Sequence, residues 1–210
     1  MRVPVGVVAA IAPFNFPLNL VAHKVGPALA AGNAVLITPA TDTPLSALKL
    51  VEILLEAGVP PLAVNCITGS GPTVGSAICA DPRVRKISFT GSQEVGEQIC
   101  KVAGLKRVTM ELGSNSPLIV MPDADMEQVV DSIMGAAYGS AGERCMAVSV
   151  MVAVGDEVAD ALVERLRPRL EALKVGPYTQ PDAEMGPVVN PAAKARICGC
   201  LLYTSDAADE

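Results

Sequence analysis

The residue best suited to covalent chemistry is Cys145, which lies in residues 139–146, Gly-Ser-Ala-Gly-Glu-Arg-Cys-Met. A thiolate is a good nucleophile, but an unperturbed thiol has a pKa of about 8.5 and needs a nearby cation or helix N-terminus to ionise at neutral pH. Arg144 is a candidate for that cation. Taken alone, the stretch also fits a buried cysteine that serves as a small hydrophobic residue.

Glu111 and Asn15 offer two further reactive groups. Glu111 stands at the end of a predicted strand, just before Gly113, and a partly buried glutamate there is a natural general base. Asn15 lies in a loop bounded by prolines, where its amide could donate a hydrogen bond to a developing oxyanion. The alternatives are an ion-paired surface glutamate and an ordinary turn asparagine.

The turn at Gly91 and Ser92 passes from a predicted strand into a predicted helix. Backbone N–H groups at a helix N-terminus bind phosphate well. The spacing lacks the G-x-G-x-x-G fingerprint of dinucleotide-binding turns, so a glycine needed only for a tight turn remains an alternative.

Aliphatic runs alternate with helical patterns through the first 112 residues. The strands are predicted at 5–11, 33–37, 63–68, 85–89 and 107–112, with helices between them at 17–31, 44–57, 74–79 and 93–103. Thr43 is the predicted N-cap of the second helix and Pro44 its first residue. This alternation predicts an α/β fold with a doubly wound, Rossmann-like parallel sheet. Ligands bind at the carboxyl ends of the strands in such sheets, which is where the turns and reactive groups described above are expected.

The pattern changes after Gly113. A strand at 117–121 precedes a helix at 126–138 capped by Asp123 or Asp125, and a strand with alternating valines follows at 147–154. An amphipathic helix over 158–173 contains Pro168, which is expected to bend or restart it. We therefore predict a domain over 1–112 and the start of a second α/β catalytic domain over 113–199.

Composition excludes several classes of function. The 210 residues carry a net charge of −6 and no cluster of basic residues, which argues against nucleic acid or anionic membrane as a partner. The six cysteines are scattered and there is one histidine, His23, so no metal site is predicted. Prolines and asparagines interrupt the uncharged stretch 3–22, which argues against a membrane span. We expect a soluble, cytoplasmic protein.

Five motifs together resemble the aldehyde dehydrogenase superfamily. They occur in the family's order, with 34 positions from Glu111 to Cys145, and the resemblance covers roughly residues 3–199. The motifs are Pro-Phe-Asn-Phe-Pro at 13–17, Gly-Pro-Ala-Leu-Ala-Ala-Gly-Asn at 26–33, Phe-Thr-Gly-Ser at 89–92, Met-Glu-Leu-Gly at 110–113 and Gly-Glu-Arg-Cys at 142–145.

The resemblance implies oxidation of a small aldehyde to a carboxylic acid. Cys145 would attack the aldehyde carbon, the Asn15 amide and the Cys145 N–H would hold the oxyanion, and a hydride would pass to NAD or NADP. Glu111 would activate the water that hydrolyses the thioester. The parent protein would be a homo-oligomer. The implied cofactor-binding residues are Ile11, Ala12, Pro13, Phe14, Thr38, Pro39, Thr41, Gly71, Gly75, Phe89, Thr90, Gly91, Ser92, Val95, Leu112 and Gly113.

Several positions depart from the family pattern. Thr38 replaces a common lysine and Thr41 a common acid at the adenosine ribose, which leaves the choice between NAD and NADP open. Ser114 and Asn115 replace the commoner glycine and lysine, and Glu143 replaces the commoner glutamine. We expect these changes to tune the site without abolishing it.

Three alternatives remain. A CoA-acylating relative would pass the acyl group to coenzyme A, and a Cys/His hydrolase would pair Cys145 with His23. The polypeptide could also be a catalytically inactive nucleotide-binding fragment, because it resembles only the middle of a family member. Residues 200–210 stop resembling the family and are treated as a separate tail.

Overall fold

The computed structural model describes residues 3–206, with side chains described as far as Cys200. The chain divides into two compact units, residues 1–113 and residues 114–210. The division lies one residue from the predicted boundary.

The first unit is built on a five-stranded parallel sheet. Its strands are β1 (Val7–Ile11), β2 (Ala34–Thr38), β3 (Val64–Cys66), β4 (Val84–Thr90) and β5 (Arg107–Glu111). Their order across the sheet is β3-β2-β1-β4-β5, and all four pairings are parallel. The predicted α/β fold with a Rossmann-like parallel sheet is therefore confirmed.

Four helices lie between these strands. They are α1 (Asn19–Ala30), α2 (Leu45–Glu56), α3 (Ser76–Ala80) and α4 (Gln93–Ala103), and a π-helical turn over Gly71–Gly75 leads into α3. The predicted Thr43 cap of α2 is wrong. The helix begins at Leu45 without a side-chain cap, and the buried Thr43 hydroxyl has no hydrogen-bond partner among the described residues.

Two hydrophobic cores sandwich this sheet. Val8, Ala10 and Ile37 pack with residues of α1 and α2 on one face. Ile87 and Phe89 pack with residues of α3 and α4 on the other. Alternate residues of a strand point to opposite faces, so each aliphatic strand contributes to both cores.

The second unit pairs two parallel strands with helices. It contains β6 (Ser116–Val120), α5 (Met126–Tyr138), β7 (Val148–Ala153), α6 (Asp156–Glu171) and α7 (Pro191–Asp206), with a 3-10 turn over Gly139–Gly142. Its core joins Val120, Ile133 and Leu162. The predicted Asp125 cap is present, since its carboxylate accepts from Glu127 N at 3.0 Å and Gln128 N at 3.2 Å.

Two features of this unit differ from the sequence-based expectations. Helix α6 does not restart at Pro168, since it continues through the proline to Glu171. Pro168 lies in the last turn, so the helix ends soon after the hydrogen bond that the proline removes. Helix α7 was not predicted, and it crosses the proposed start of the tail at residue 200.

Candidate active site

The carboxyl edge of the five-stranded sheet gathers most of the predicted site residues of the first unit. Ile11, Thr38, Thr90 and Glu111 are the last residues of β1, β2, β4 and β5. The Gly91 N–H donates to the Glu111 carbonyl at 3.1 Å, which ties the turn after β4 to the end of β5. Parallel strands bring these residues to one edge although they are far apart in sequence.

An apolar cavity of about 240 Å³ opens beside this edge. It is lined by five of the predicted cofactor residues, from β1, the π-helical turn, β4 and α4: Ile11, Gly71, Gly75, Phe89 and Val95. Gly71 and Gly75 border open space, because a Cβ added at either position would have no atom within 4 Å. The cavity is slightly smaller than ordinary small-molecule pockets, which measure about 300–1,000 Å³.

The glycine at 91 is required by close packing. A Cβ at that position would lie 2.4 Å from Cζ of the buried Phe89 ring. Ser92 then caps α4 by accepting from Val95 N at 3.4 Å. The turn is therefore closely packed at Gly91 and forms the N-terminus of α4 at Ser92.

Two threonine hydroxyls near the end of β2 differ in their hydrogen bonding. The buried Thr38 hydroxyl has no hydrogen-bond partner among the described residues, whereas the Thr41 hydroxyl donates to the Gly69 carbonyl at 3.4 Å. A buried hydroxyl without a partner costs free energy unless a ligand or water satisfies it. Thr38 therefore fits contact with a polar ligand group such as a ribose hydroxyl.

Lys24 is a buried cation for which the sequence alone predicts no role. Its Nζ donates to the Thr90 hydroxyl at 2.6 Å, and its side chain is 8% exposed. Burial lowers the pKa of Lys24, and the nearby Glu111 charge partly opposes that effect. The sequence does hold one indication of this role. Lys24 follows His23 among the apolar residues of a predicted helix, where a lysine is unusual.

The predicted catalytic groups of this unit occupy different environments. Glu111 is exposed rather than partly buried as expected, and in the sheet register it lies beside Thr90. Asn15 lies in the loop between β1 and α1, where its Oδ1 accepts from Phe16 N at 3.1 Å. Its amide nitrogen carries the donors that an oxyanion would need.

In the second unit, Cys145 is exposed and follows a run of left-handed backbone. Ser140 and Ala141 both have φ of 54°, and Gly142 has φ of 72°. Left-handed conformation is unfavourable for residues with a Cβ, and such strain concentrates at functional sites. The Cys145 carbonyl accepts a 2.5 Å hydrogen bond from the Ser114 hydroxyl.

The Arg144 side chain contacts the end of α5. Its guanidinium donates to the carbonyls of Gly135 and, at 3.0 Å, Ala136, two of the last four carbonyls of α5. The Gly135 carbonyl also accepts from the Gly139 N–H at the C-cap, so Arg144 adds a side-chain cap to this helix C-terminus. Glycine at 139 makes room, because a Cβ there would lie 2.9 Å from Arg144 Nη2.

The sequence profile described as "Aldehyde dehydrogenase family" matches residues 1–207. The chain belongs to this family. A 3-sulfolactaldehyde dehydrogenase of Priestia aryabhattai is 43% identical over 197 residues, which are 94% of this chain and 41% of that protein. The NADP(+) succinate-semialdehyde dehydrogenase of Escherichia coli K12 is 39% identical over 199 residues, 94% of this chain and 41% of that protein.

Solved structures of family members share the fold. A protein from Sinorhizobium meliloti 1021, described as a methylmalonate-semialdehyde dehydrogenase complexed with NAD, has a TM-score of 0.92 and 41% identity. The match covers 96% of this chain and 41% of that one. The chain thus spans about two fifths of the length of these relatives. Among the described residues, no helix is both long and apolar enough to cross a membrane.

Proposed function

We propose that this chain forms the cofactor unit and the first part of the catalytic unit of an NAD(P)-dependent aldehyde dehydrogenase. Residues 1–112 take the first role and 113–199 the second. The observation that carries the proposal is that Asn15, Glu111 and the cavity-lining residues lie at the carboxyl edge of one parallel sheet. This is the edge at which α/β proteins bind nucleotides.

The cavity residues of the first unit would hold the cofactor. Gly75, Phe89 and Val95 offer an apolar slot for the adenine ring, and the Thr38 hydroxyl offers a hydrogen bond to the ribose. When bound, NAD or NADP supplies the acceptor for a hydride. Relatives named with NAD and with NADP(+) both occur, so either dinucleotide is proposed here.

Cys145 would supply the nucleophile. Its thiolate forms a C–S bond to the aldehyde carbon, while the carbonyl electron pair moves to oxygen and is held by the Asn15 amide and the Cys145 N–H. The oxyanion electron pair would re-form the C=O bond as hydride leaves that carbon for NAD(P)+, and a thioester would remain on Cys145. Glu111 then takes a proton from water, the hydroxide attacks the thioester, and the C–S bond breaks to release the acid and the thiolate.

Lys24 would position this chemistry in the first unit. Its hydrogen bond joins α1 to Thr90, the register neighbour of Glu111. The Glu111 charge raises the pKa of Lys24 against the larger effect of burial, so the two groups interact. We assign Lys24 a positioning role, in which it does not touch the aldehyde.

The substrate class proposed is a small aldehyde that carries an anionic group. The relatives named above act, by their names, on 3-sulfolactaldehyde and succinate semialdehyde, which are both anionic. Succinate semialdehyde is therefore the first substrate to test.

Cofactor binding and turnover are best tested separately. Calorimetric titration of the 210-residue chain with NAD+ and NADP+ should show binding of at least one, without aldehyde turnover by this chain alone. For turnover, residues 3–199 can replace the matching segment of the E. coli relative. We expect this chimera to form reduced cofactor from succinate semialdehyde without coenzyme A.

Two variants of the chimera separate the chemical roles. Cys145→Ser should remove all formation of reduced cofactor, whereas Glu111→Gln should keep one rapid turnover and lose the steady rate, because the thioester would persist. A strict requirement for coenzyme A would instead support the acylating alternative. Cofactor-free esterase activity that His23→Ala abolishes would support the hydrolase alternative.

A further inference from the structure

The two peptide groups on either side of the Cys145 Cα are each held by a hydrogen bond. The Arg144 carbonyl, in the peptide that carries the Cys145 N–H, accepts from Ala147 N at 3.1 Å. The Cys145 carbonyl, in the next peptide, accepts from the Ser114 hydroxyl at 2.5 Å. Peptide groups are planar, so the backbone at Cys145 turns only about φ and ψ. Holding both planes therefore fixes where the N–H and the Cα–Cβ bond of Cys145 point.

The two hydrogen bonds act over different distances in the chain. The bond from Ala147 closes the turn over 144–147, which is a local contact. The bond from Ser114 joins residues 31 positions apart and ties the turn to the segment just before β6. The Arg144 side chain anchors the same turn to α5. Ser114 is thus the contact that connects the cysteine backbone to the β6–β7 sheet.

The Ser114 hydroxyl is itself oriented by a network of side chains. A carbonyl only accepts, so the Ser114 proton lies toward Cys145, and the Ser116 hydroxyl 3.1 Å away must donate to Ser114. Ser116 N donates to the Ser149 hydroxyl at 3.1 Å, and Ser149 donates to the Asn115 side chain. Linked hydrogen bonds strengthen one another. The Ser114 oxygen is therefore held through the first residue of β6 and a residue of β7.

Two members of this network are positions that depart from the family pattern. Ser114 and Asn115 replace the commoner glycine and lysine. Glycine has no hydroxyl to give to the Cys145 carbonyl, and lysine has no acceptor for the Ser149 hydroxyl. The two replacements together build one network, which ends at the backbone of the candidate nucleophile.

We propose that Ser114 is a positioning residue for Cys145, whose hydroxyl holds the cysteine backbone so that Sγ and the N–H meet one aldehyde group. The proposal rests on the nucleophilic role proposed above for Cys145. Attack requires Sγ at the carbonyl carbon while the N–H faces the oxygen. Within the described residues no hydrogen bond uses the Cys145 N–H, so none competes with the oxyanion for that donor. Ser114 does not touch the aldehyde.

Two reactions of Cys145 separate its positioning from its reactivity. Alkylation by iodoacetamide requires the thiolate alone, because the sulfur displaces iodide and no oxyanion forms. Reduction of NAD(P)+ by succinate semialdehyde requires the thiolate and the N–H in one geometry. In the chimera described above, Ser114→Ala should lower the first-turnover rate of cofactor reduction, measured by stopped flow, about tenfold. Alkylation of Cys145, followed by mass spectrometry of its peptide, should stay unchanged.

A conservative variant and a control complete the test. Ser114→Thr keeps a donor hydroxyl and should restore the first-turnover rate to within about threefold of the unmodified chimera. Ser132→Ala, on the exposed surface of α5, is the matched control and should leave both rates unchanged. The affinity for NAD(P)+, measured by calorimetry, should be equal in all four proteins, which shows that the fold persists.

Three results would overturn the proposal. The first is an equal first-turnover rate for Ser114→Ala and the unmodified chimera. The second is a parallel fall in turnover and alkylation, because Ser114 would then act on the thiol itself or on the folding of the turn. The third is an unmodified chimera that forms no reduced cofactor, which refutes the proposed function and with it the role of Ser114.

Discussion

The Lys24 ammonium donates a 2.6 Å hydrogen bond to the Thr90 hydroxyl, and both residues are buried. This bond joins the first helix to the end of β4, over 66 positions of sequence. It places a positive charge beneath the edge where Glu111 ends the neighbouring strand. The carboxyl edge of the sheet is thus held together by a charged group that no turn or glycine motif contains.

Replacing Lys24 should change how stability depends on pH. Burial holds the pKa of Lys24 below its ordinary 10.5, so the unfolded chain binds this proton more tightly than the folded chain. Stability from this group is therefore lower below the folded pKa and rises as pH increases toward 10.5. Lys24→Met should abolish that rise.

Urea unfolding of the wild type and of Lys24→Met between pH 7 and pH 10.5 measures the effect. Cysteine thiols also titrate in this range, but they are the same in both proteins, so the difference between the two free energies of unfolding reports Lys24. The exposed Lys49→Met variant should keep the wild-type pH dependence. Identical pH profiles for wild type and Lys24→Met would contradict the assigned burial of the ammonium group.

Thr38→Val should separate folding from cofactor binding. The variant keeps the shape of the side chain and removes a buried hydroxyl that has no partner among the described residues. The free energy of unfolding should stay the same or rise by about 1 kcal/mol. Affinity for NAD(P)+, measured by calorimetry, should fall about threefold to tenfold if the hydroxyl meets the ribose. Unchanged affinity would exclude that contact.

Ala141→Gly should stabilise the second unit. Ala141 has φ of 54°, a conformation that glycine adopts without a Cβ penalty. We expect the free energy of unfolding to rise by about 1 kcal/mol, as measured by chemical denaturation. Ala161→Gly, inside α6, is the matched control and should lower stability by about 1 kcal/mol. A loss of stability in both variants would mean that the turn carries no strain.

Gly91→Ala should damage both the core and the cavity of the first unit. The new Cβ would overlap the Phe89 ring, which is buried and lines the cavity. Overpacking of this kind costs about 1–3 kcal/mol. Thermal unfolding and NAD(P)+ titration should both report the loss. Gly135→Ala, in α5 with no atom within 4 Å of the new Cβ, should be neutral or stabilising.

Local sequence patterns predicted the α/β fold and most of its elements. Aliphatic runs between helical patterns predicted β1, β2, β4 and β5, because burial on both faces requires continuous apolar residues. The capping role of Asp125 was also predicted, since it depends on a side chain and the next few backbone N–H groups. Helix α7 was missed, because its sequence lacks a clear apolar stripe.

The roles of the charged residues were harder to predict. Arg144 lies next to Cys145 in sequence, but its guanidinium caps α5 through the carbonyl of Gly135, nine positions earlier in the chain. The sequence places Lys24 on a helix but does not predict that it is buried. Its burial against Thr90 depends on how that helix packs on the sheet. Partners of long side chains are set by packing, which adjacent positions do not reveal.

The sequence by itself determined the periodic elements, the glycine-dependent turns and the candidate nucleophile, because each depends on residues within a few positions of one another. Only the tertiary structure decided which distant residues meet: the Lys24 side chain with the Thr90 hydroxyl, the Gly91 N–H with the Glu111 carbonyl, and Lys86 beside Arg107 in the sheet register. These pairings come from strand order and register, which bring together residues far apart in the chain.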